Sequence, residues 1–288
     1  MIDDGSSDNS LSVCSAYQAL DRRVRTVSTR HVGIGSVRNL GLSHASGRYV
    51  MFCDSDDYVE PNWIETLYRA AREHPDSLCN CEYAMAKPSE KLVEPQLLPG
   101  LTKSQVIEKK AFFPLLYHGQ LMHLWTRIFR ADIIRENHLR FRDVSTEGED
   151  MIFLCDYLNY CESFYFVHKC LYYWVDNDAY SVTRGFQAHY FEDMKQIYLA
   201  RKPHVAPEFL QDFYDYSFVR FLRCPEFVWN AENTESDSEK FRYCEAMFRD
   251  PVFQETVKNA SDKVCSAKKR LILMTKNYRL YHAAMKRM

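Results

Sequence analysis

The sequence predicts an α/β fold with parallel strands, followed by a helical C-terminal region. Three observations predict it. Apolar runs of strand length alternate with helical periodicity through the first third of the chain. Further strand patterns recur over residues 163–167 and 171–175. Beyond about Tyr190 only helical patterns remain, which places a boundary near residue 185, between segments 1–185 and 186–288.

Each element has a local reason. Asp8-Asn9-Ser10 caps a helix whose apolar positions are Leu11, Cys14, Tyr17 and Leu20. Residues 24–27 form a short strand. Residues 35–46 form a helix that Gly47 stops in a left-handed conformation. The strand Tyr49-Val50-Met51-Phe52-Cys53 runs into an acidic turn, and Pro61 opens a helix carrying Trp63, Ile64, Leu67 and Ala70. Residues 79–100, with Pro88, Pro95 and Pro99, read as irregular. Helices are expected over 103–117, 130–137 and 149–161.

The tail has its own pattern. Val264, Ala267, Leu271, Met274, Tyr278, Tyr281, Met285 and Met288 recur at alternating three- and four-residue steps, and after Asp262 the chain carries eight basic residues and no acidic one. A basic amphipathic helix over residues 263–288 suits an anionic membrane surface. The alternatives are packing on the body or pairing with its own copy as a homodimer.

Composition narrows the function. A chain of 288 residues has ample material for a core, and 46% hydrophobic and 14% aromatic residues exclude disorder. A net charge of −2 excludes a nucleic-acid binder built on bulk charge. No run approaches the ~18 apolar residues of a membrane span, and the N-terminus does not read as a signal peptide. The ten cysteines form no Cys-x-x-Cys pair and have no zinc spacing, as expected of reduced, mostly buried thiols in a cytoplasmic protein.

Asp54-Ser55-Asp56-Asp57 carries the chemistry. Three carboxylates behind an uncharged strand repel one another unless something positive sits among them. Asp54 and Asp56 point to the same side of extended backbone and offer hard oxygen ligands to Mg²⁺ or Mn²⁺ bridging to phosphate. A solvated acidic turn is the alternative. A calcium loop is excluded, because Val59 falls where its glycine must be. The Gly33-Ile34-Gly35-Ser36-Val37-Arg38 run lacks the third glycine of a dinucleotide fingerprint, and no Walker lysine occurs.

Together these motifs resemble the family 2 glycosyltransferases of the GT-A fold, the Rossmann-like enzymes that build bacterial surface polysaccharides. The resemblance is carried by Ile2-Asp3-Asp4-Gly5-Ser6-Ser7-Asp8-Asn9-Ser10 and by Gly35-Ser36-Val37-Arg38-Asn39-Leu40-Gly41-Leu42. It continues through Gly47-Arg48-Tyr49-Val50-Met51-Phe52-Cys53-Asp54-Ser55-Asp56-Asp57-Tyr58-Val59-Glu60-Pro61. Trp125-Thr126-Arg127-Ile128-Phe129-Arg130 and Gly148-Glu149-Asp150-Met151 follow in the expected order, so it covers about residues 1–185.

The resemblance implies an inverting, metal-dependent transfer of a hexose-type sugar from a nucleotide donor, UDP above all, to a glycan or lipid-linked acceptor. Asp150 is the implied general base, flanked by Glu147 and Glu149; a helix-capping carboxylate is its structural alternative. Asp54 and Asp56 are the implied metal ligands. Asp3, Asp4, Arg38, Asp54 and Ser55 are the implied nucleotide-sugar contacts, with Asp4 accepting from uracil. Arg38 offers a fork of donors to phosphate, or is a surface helix arginine. Acceptors are expected near residues 125–130 and the Asp150 loop, and the protein is expected in the cytoplasm, peripheral on the inner face of the membrane.

Such proteins carry a first strand, a first helix and most of a second strand ahead of the Asp-Asp-Gly-Ser turn, whereas here two residues precede Asp3. The resemblance therefore implies a sheet incomplete at its N-terminus, through an internal methionine taken as the start or a genuine fragment. The expectation is weak transferase activity without an upstream segment. Thr126 replaces a frequent asparagine, and Val175 a frequent basic residue. A non-catalytic remnant that binds partners is the alternative function, and a nucleotidyltransferase the third.

Overall fold

The computed structural model describes residues 1–87, 92–98, 100–111, 123–142, 148–176, 189–230 and 232–285. Glu147 and the expected boundary near residue 185 lie outside them.

Two β-α units open the chain. Strand β1 (Ile2–Asp3) pairs in parallel with β2 (Val27–Ser28), and α1 (Ser10–Leu20) connects them. Helix α2 (Ile34–His44) leads to β3 (Tyr49–Val50). Gly47, expected as a left-handed stop, lacks the positive φ that stop requires; the C-cap of α2 is Ala45 in extended conformation. Helix α1 buries none of its residues, so its apolar side chains do not contribute to the core.

The main sheet has seven strands. Its spine runs β3, β8 (Arg127–Arg130), β5 (Ser77–Lys87), β9 (Ser163–Val175) and β4 (Tyr58–Val59). Strand β6 (Leu92–Gln96) pairs with β5, and β7 (Gln105–Glu108) with β9. The β5–β9 pair is parallel and the other pairs of this sheet are antiparallel. Central position explains the continuous burial of β5 over Leu78–Glu82, which takes in the polar Asn80 and Glu82 as well as Leu78, Cys79 and Cys81.

Two sequence expectations fail here for one reason, which is long-range pairing. Residues 79–100, expected to be irregular, contain the β5–β6 hairpin. Pro95 is tolerated because β6 pairs on one side only. Of the helix expected over 103–117, residues 105–108 are strand, with Val106 and Ile107 laddered against Tyr165 and Phe164; 109–111 are helical, and 112–117 lie outside the described residues.

Helices cover both faces. Helix α3 (Trp63–Glu73) buries Trp63, Leu67, Ala70 and Ala71 against Cys79, Cys81, Trp125, Ile128 and Tyr172. On the opposite face, α4 (Ala131–Glu136) and α5 (Glu149–Leu158) pack with Leu78, Phe129, Phe164 and Phe166. From residue 190 every described element is helical. They are α6 (Tyr190–Arg201), α7 (Leu210–Leu222), α8 (Cys224–Val228), α9 (Asp237–Arg249), α10 (Pro251–Asn259), α11 (Ala267–Met274) and α12 (Tyr278–Met285). Their apolar faces join one continuous core with α5.

The tail is not one helix. The chain breaks between α11 and α12, where Lys276 takes φ 57°. Leu273, outside the expected stripe, is fully buried, whereas Leu271 of the stripe is 70% exposed. Tyr278 and Tyr281 of the stripe, on α12, pack into the core, so the stripe passes from exposed on α11 to buried on α12 across the break. No described helix is long and apolar enough to cross a membrane. All ten cysteines are free, and seven are buried.

Candidate active site

The acidic turn is anchored before it is functional. Tyr172, from the core of β9, accepts a hydrogen bond from the Asp54 amide at 3.1 Å and donates to Asp57 Oδ2 at 2.7 Å. The Val175 amide donates to Asp57 Oδ1 at 2.8 Å. Asp57 therefore ties the turn to β9. Burial pushes its pKa up to about 6 against those two hydrogen bonds. Asp54 is half-buried, while Ser55 and Asp56 are exposed.

The positive charge expected among the carboxylates belongs to Arg38. Its guanidinium pairs with Asp150, reaches Glu149 Oε1 at 2.6 Å and Asp54 Oδ1 at 3.5 Å, and its side chain is only 9% exposed. Its flat side lies 5.5 Å from the Phe141 ring centroid. Burial pulls its pKa down, but the three carboxylates outweigh that and leave it raised. Three segments thus meet at one side chain: the second turn of α2, the turn after β3 and the first turn of α5.

Glu149 and Asp150 occupy the positive end of α5, as the capping alternative required. Gly148 precedes them with φ 113°, a conformation glycine adopts without strain. A Cβ there would collide with Ile197 Cδ1 of α6. The Asp150 carboxyl has a pKa well above the usual carboxylate range: burial dominates and Glu149 adds to it, while Arg38 opposes. Asp54 is raised for the same reason, with Arg38 opposing and Asp56 adding.

Asp3 and Asp4 belong to a neighbouring network. Asp4 accepts from the amides of Val32 at 2.9 Å and Gly33 at 3.2 Å, holding the loop that leads into α2. Asp3 is buried and accepts from the Ser28 hydroxyl at 3.2 Å. Among the described residues, neither bonds to Arg38, Asp54 or Asp150. Gly5 follows Asp3 and Asp4 at φ 77°, and a Cβ added there would stand 3.0 Å from the His31 amide nitrogen.

The segment expected to meet acceptors is interior. Trp125, Thr126, Arg127, Ile128 and Phe129 are all buried, because β8 is flanked by β3 and β5. Arg127 bonds to Thr126 Oγ1 at 3.3 Å, and its pKa falls to about 9 through burial. Tyr172 and the pairing of Glu149 with Arg38 were not assigned from sequence. A tyrosine in an apolar strand gives no local sign that its hydroxyl reaches a turn more than a hundred residues earlier.

The donor set fits a hard divalent ion. Asp54 and Asp56 add negative charge to one another across an exposed turn, and both offer only oxygen. Among the described residues, no group of three His, Cys, Asp or Glu side chains completes a protein-only cage. Such an ion would share its coordination with ligand and water oxygens.

Residues 1–137 match the model of Glycosyl transferase family 2. The putative glycosyltransferase EpsH of Bacillus subtilis strain 168 is 25% identical over 289 aligned positions, spanning 97% of this chain and 83% of that protein. The poly(ribitol-phosphate) β-N-acetylglucosaminyltransferase TarP of Staphylococcus aureus strain N315 is 27% identical, spanning 69% of this chain and 61% of TarP. Among solved structures, S. aureus TarS 1–349 in complex with UDP-GlcNAc superposes with a TM-score of 0.67 at 18% identity, over 97% of this chain and 79% of that one. The match over residues 1–137, the near-complete alignment with EpsH and the GT-A architecture shared with TarS together support a family 2 glycosyltransferase.

Proposed function

We propose that the protein transfers a hexose-type sugar from a UDP-sugar to a glycan or lipid-linked acceptor, with inversion, in polysaccharide synthesis. The observation that carries this reading is the convergence of Asp54, Arg38 and Asp150. In this reading one cation lies between the turn that would bind the diphosphate and the carboxylate that would accept the proton. TarS bound to UDP-GlcNAc supports the choice of donor.

In this reading Asp150 takes the proton of the acceptor hydroxyl as its oxygen attacks the anomeric carbon. The bond from that carbon to the diphosphate oxygen breaks, and the nucleoside diphosphate leaves with the electron pair. The raised affinity of Asp150 for a proton suits it to this task. Arg38 presents its donors to the diphosphate, where negative charge grows in the transition state. Mg²⁺ or Mn²⁺ held by Asp54 and Asp56 supplies Lewis-acid stabilisation of the leaving group when bound. Asp3 and Asp4 shape the nucleotide end through the loop at residues 31–33, and Ser55 lies exposed at the turn for the donor.

A membrane-surface contact through residues 263–288 is supported by exposed Leu271, Met274 and Leu280 beside exposed Lys263, Lys268, Lys276 and Arg279. Deleting that segment is a poor test, since Leu273 and Tyr278 are core. Reversing Lys263, Lys268 and Lys276 to glutamate should release the folded protein from phosphatidylglycerol vesicles. Unchanged sedimentation would remove the idea.

The central test is calorimetric titration with UDP, with and without Mn²⁺, followed by turnover of UDP-GlcNAc and NMR assignment of the product anomer. Metal-dependent binding and an inverted anomer are expected. A retained anomer, or binding indifferent to the metal, would contradict the mechanism.

A further inference from the structure

Beside the acidic turn stands an aromatic pair that the reaction as described does not use. Tyr58 and Tyr173 oppose each other across the antiparallel β4–β9 pair, and their rings stack with centroids 4.6 Å apart and planes 7° from parallel. The Tyr173 hydroxyl donates to Glu60 Oε1 at 2.6 Å. Tyr58 is 45% exposed. One face of its ring covers Tyr173, and the exposure leaves the other to solvent.

Position gives the pair its meaning. Tyr58 follows Asp56 by two residues, at most ~7 Å of extended chain. The Asp57 bonds to the Tyr172 hydroxyl and the Val175 amide bracket Tyr173 on β9. The stacked rings and the turn are therefore held as one unit. Glu60, fixed to Tyr173 through one carboxylate oxygen, has a second for another donor.

These features match a sugar ring. A pyranose carries C–H groups of slight positive charge on one flat side, and an aromatic face is negative. Its hydroxyls project at the rim, where a carboxylate accepts from them. An exposed apolar side chain alone would suit many ligands; an open tyrosine face with a carboxylate at its edge suits a polyhydroxylated ring.

We infer that Tyr58, Tyr173 and Glu60 form a carbohydrate subsite that seats a pyranose ring of the acceptor glycan on the open face of Tyr58. The inference rests on the glycosyl-transfer reading of the adjacent turn and adds to it where the acceptor lies. It offers, in place of the interior segment 125–129, a surface the acceptor can reach.

The test uses the whole chain, with methyl β-D-glucopyranoside as probe in saturation-transfer NMR and UDP with Mn²⁺ in calorimetry. Wild type should pass saturation to the ring C–H protons of the probe. Tyr58→Ala should weaken probe binding roughly fivefold to tenfold, the loss of one aromatic stack. Tyr58→Phe should retain it, because the ring rather than the hydroxyl does the stacking, and Glu60→Gln should weaken it. UDP affinity should be unchanged in all three, which separates this subsite from the donor site. A wild type that gives no saturation transfer, or a Tyr58→Ala variant that binds the probe as wild type does, overturns the subsite. Absence of UDP binding in wild type would count against the transferase reading instead. Weaker UDP binding in Tyr58→Ala would assign the rings to the donor and overturn an acceptor role.

Discussion

Arg38 pairs with Asp150 across 112 residues of sequence and is simultaneously within 3.5 Å of Asp54. A single guanidinium therefore neutralises the proposed base and one proposed metal ligand before any substrate arrives. Its five donors are what make this sharing feasible.

Replacing Arg38 should be costly in two separable ways. Arg38→Ala leaves Glu149 and Asp150 facing each other with their counter-charge gone, a loss of roughly 3–5 kcal/mol for a broken buried pair. Arg38→Lys keeps one charge but not the fork, and turnover should fall by about 10² while the melting temperature drops less. Chemical denaturation and steady-state rates on both variants check this. Turnover by Arg38→Lys equal to wild type would remove Arg38 from the chemistry.

Asp150→Asn keeps the shape of the side chain and removes its capacity to accept a proton. Turnover should fall by about 10²–10⁴, with UDP affinity preserved. Parallel loss of rate and UDP binding would point to a structural carboxylate at the helix start.

Asp56→Ala should weaken Mn²⁺-dependent UDP binding by at least the roughly tenfold that loss of even an outer-sphere partner costs. Chelation of the metal in wild type should have the same effect and be reversed by added Mn²⁺. Asp57→Asn should act differently: it loosens the tie to Tyr172, so thermal stability falls along with activity.

Gly148→Ala combines a left-handed backbone with a side chain driven into Ile197. The cost should be roughly 1–3 kcal/mol. Adding Ile197→Ala should recover the steric part and leave the backbone part, a separation that a double-mutant cycle of melting curves can resolve.

His123 should make stability pH-dependent. Burial, with Arg127 adding, lowers its pKa to about 4, whereas in the unfolded chain it titrates near 6.5. Between those values the unfolded chain takes up a proton the folded one refuses, so stability falls as pH drops through 6.5 toward 4. The slope from this group is at most about 1.4 kcal/mol per pH unit. Urea denaturation at pH 7 and pH 5 should show the difference, and His123→Phe, which preserves the stack on Trp125, should reduce it.

The acidic turn stood out in the sequence because its residue types carry their own chemistry, whereas Arg38 and Asp150 were singled out through the family resemblance. Their mutual pairing was not, since nothing local links positions 38, 54 and 150. The strand at 105–108 was hidden because its stability comes from β9, some sixty residues away, while its own spacing also satisfies a helix. Pro95 disguised β6, as proline is compatible with an edge strand that the sequence alone cannot identify as an edge. The tail misled through its regularity: a seven-residue rhythm survives a break, but the face it marks does not.

Ile197 occupies the space a side chain at position 148 would need, so the helical half of the protein reaches to one residue short of the paired carboxylates. The two halves are consequently not interchangeable cassettes. A chimera that kept residues 1–185 and imported a foreign helical segment would reseat Asp150 along with its new neighbour.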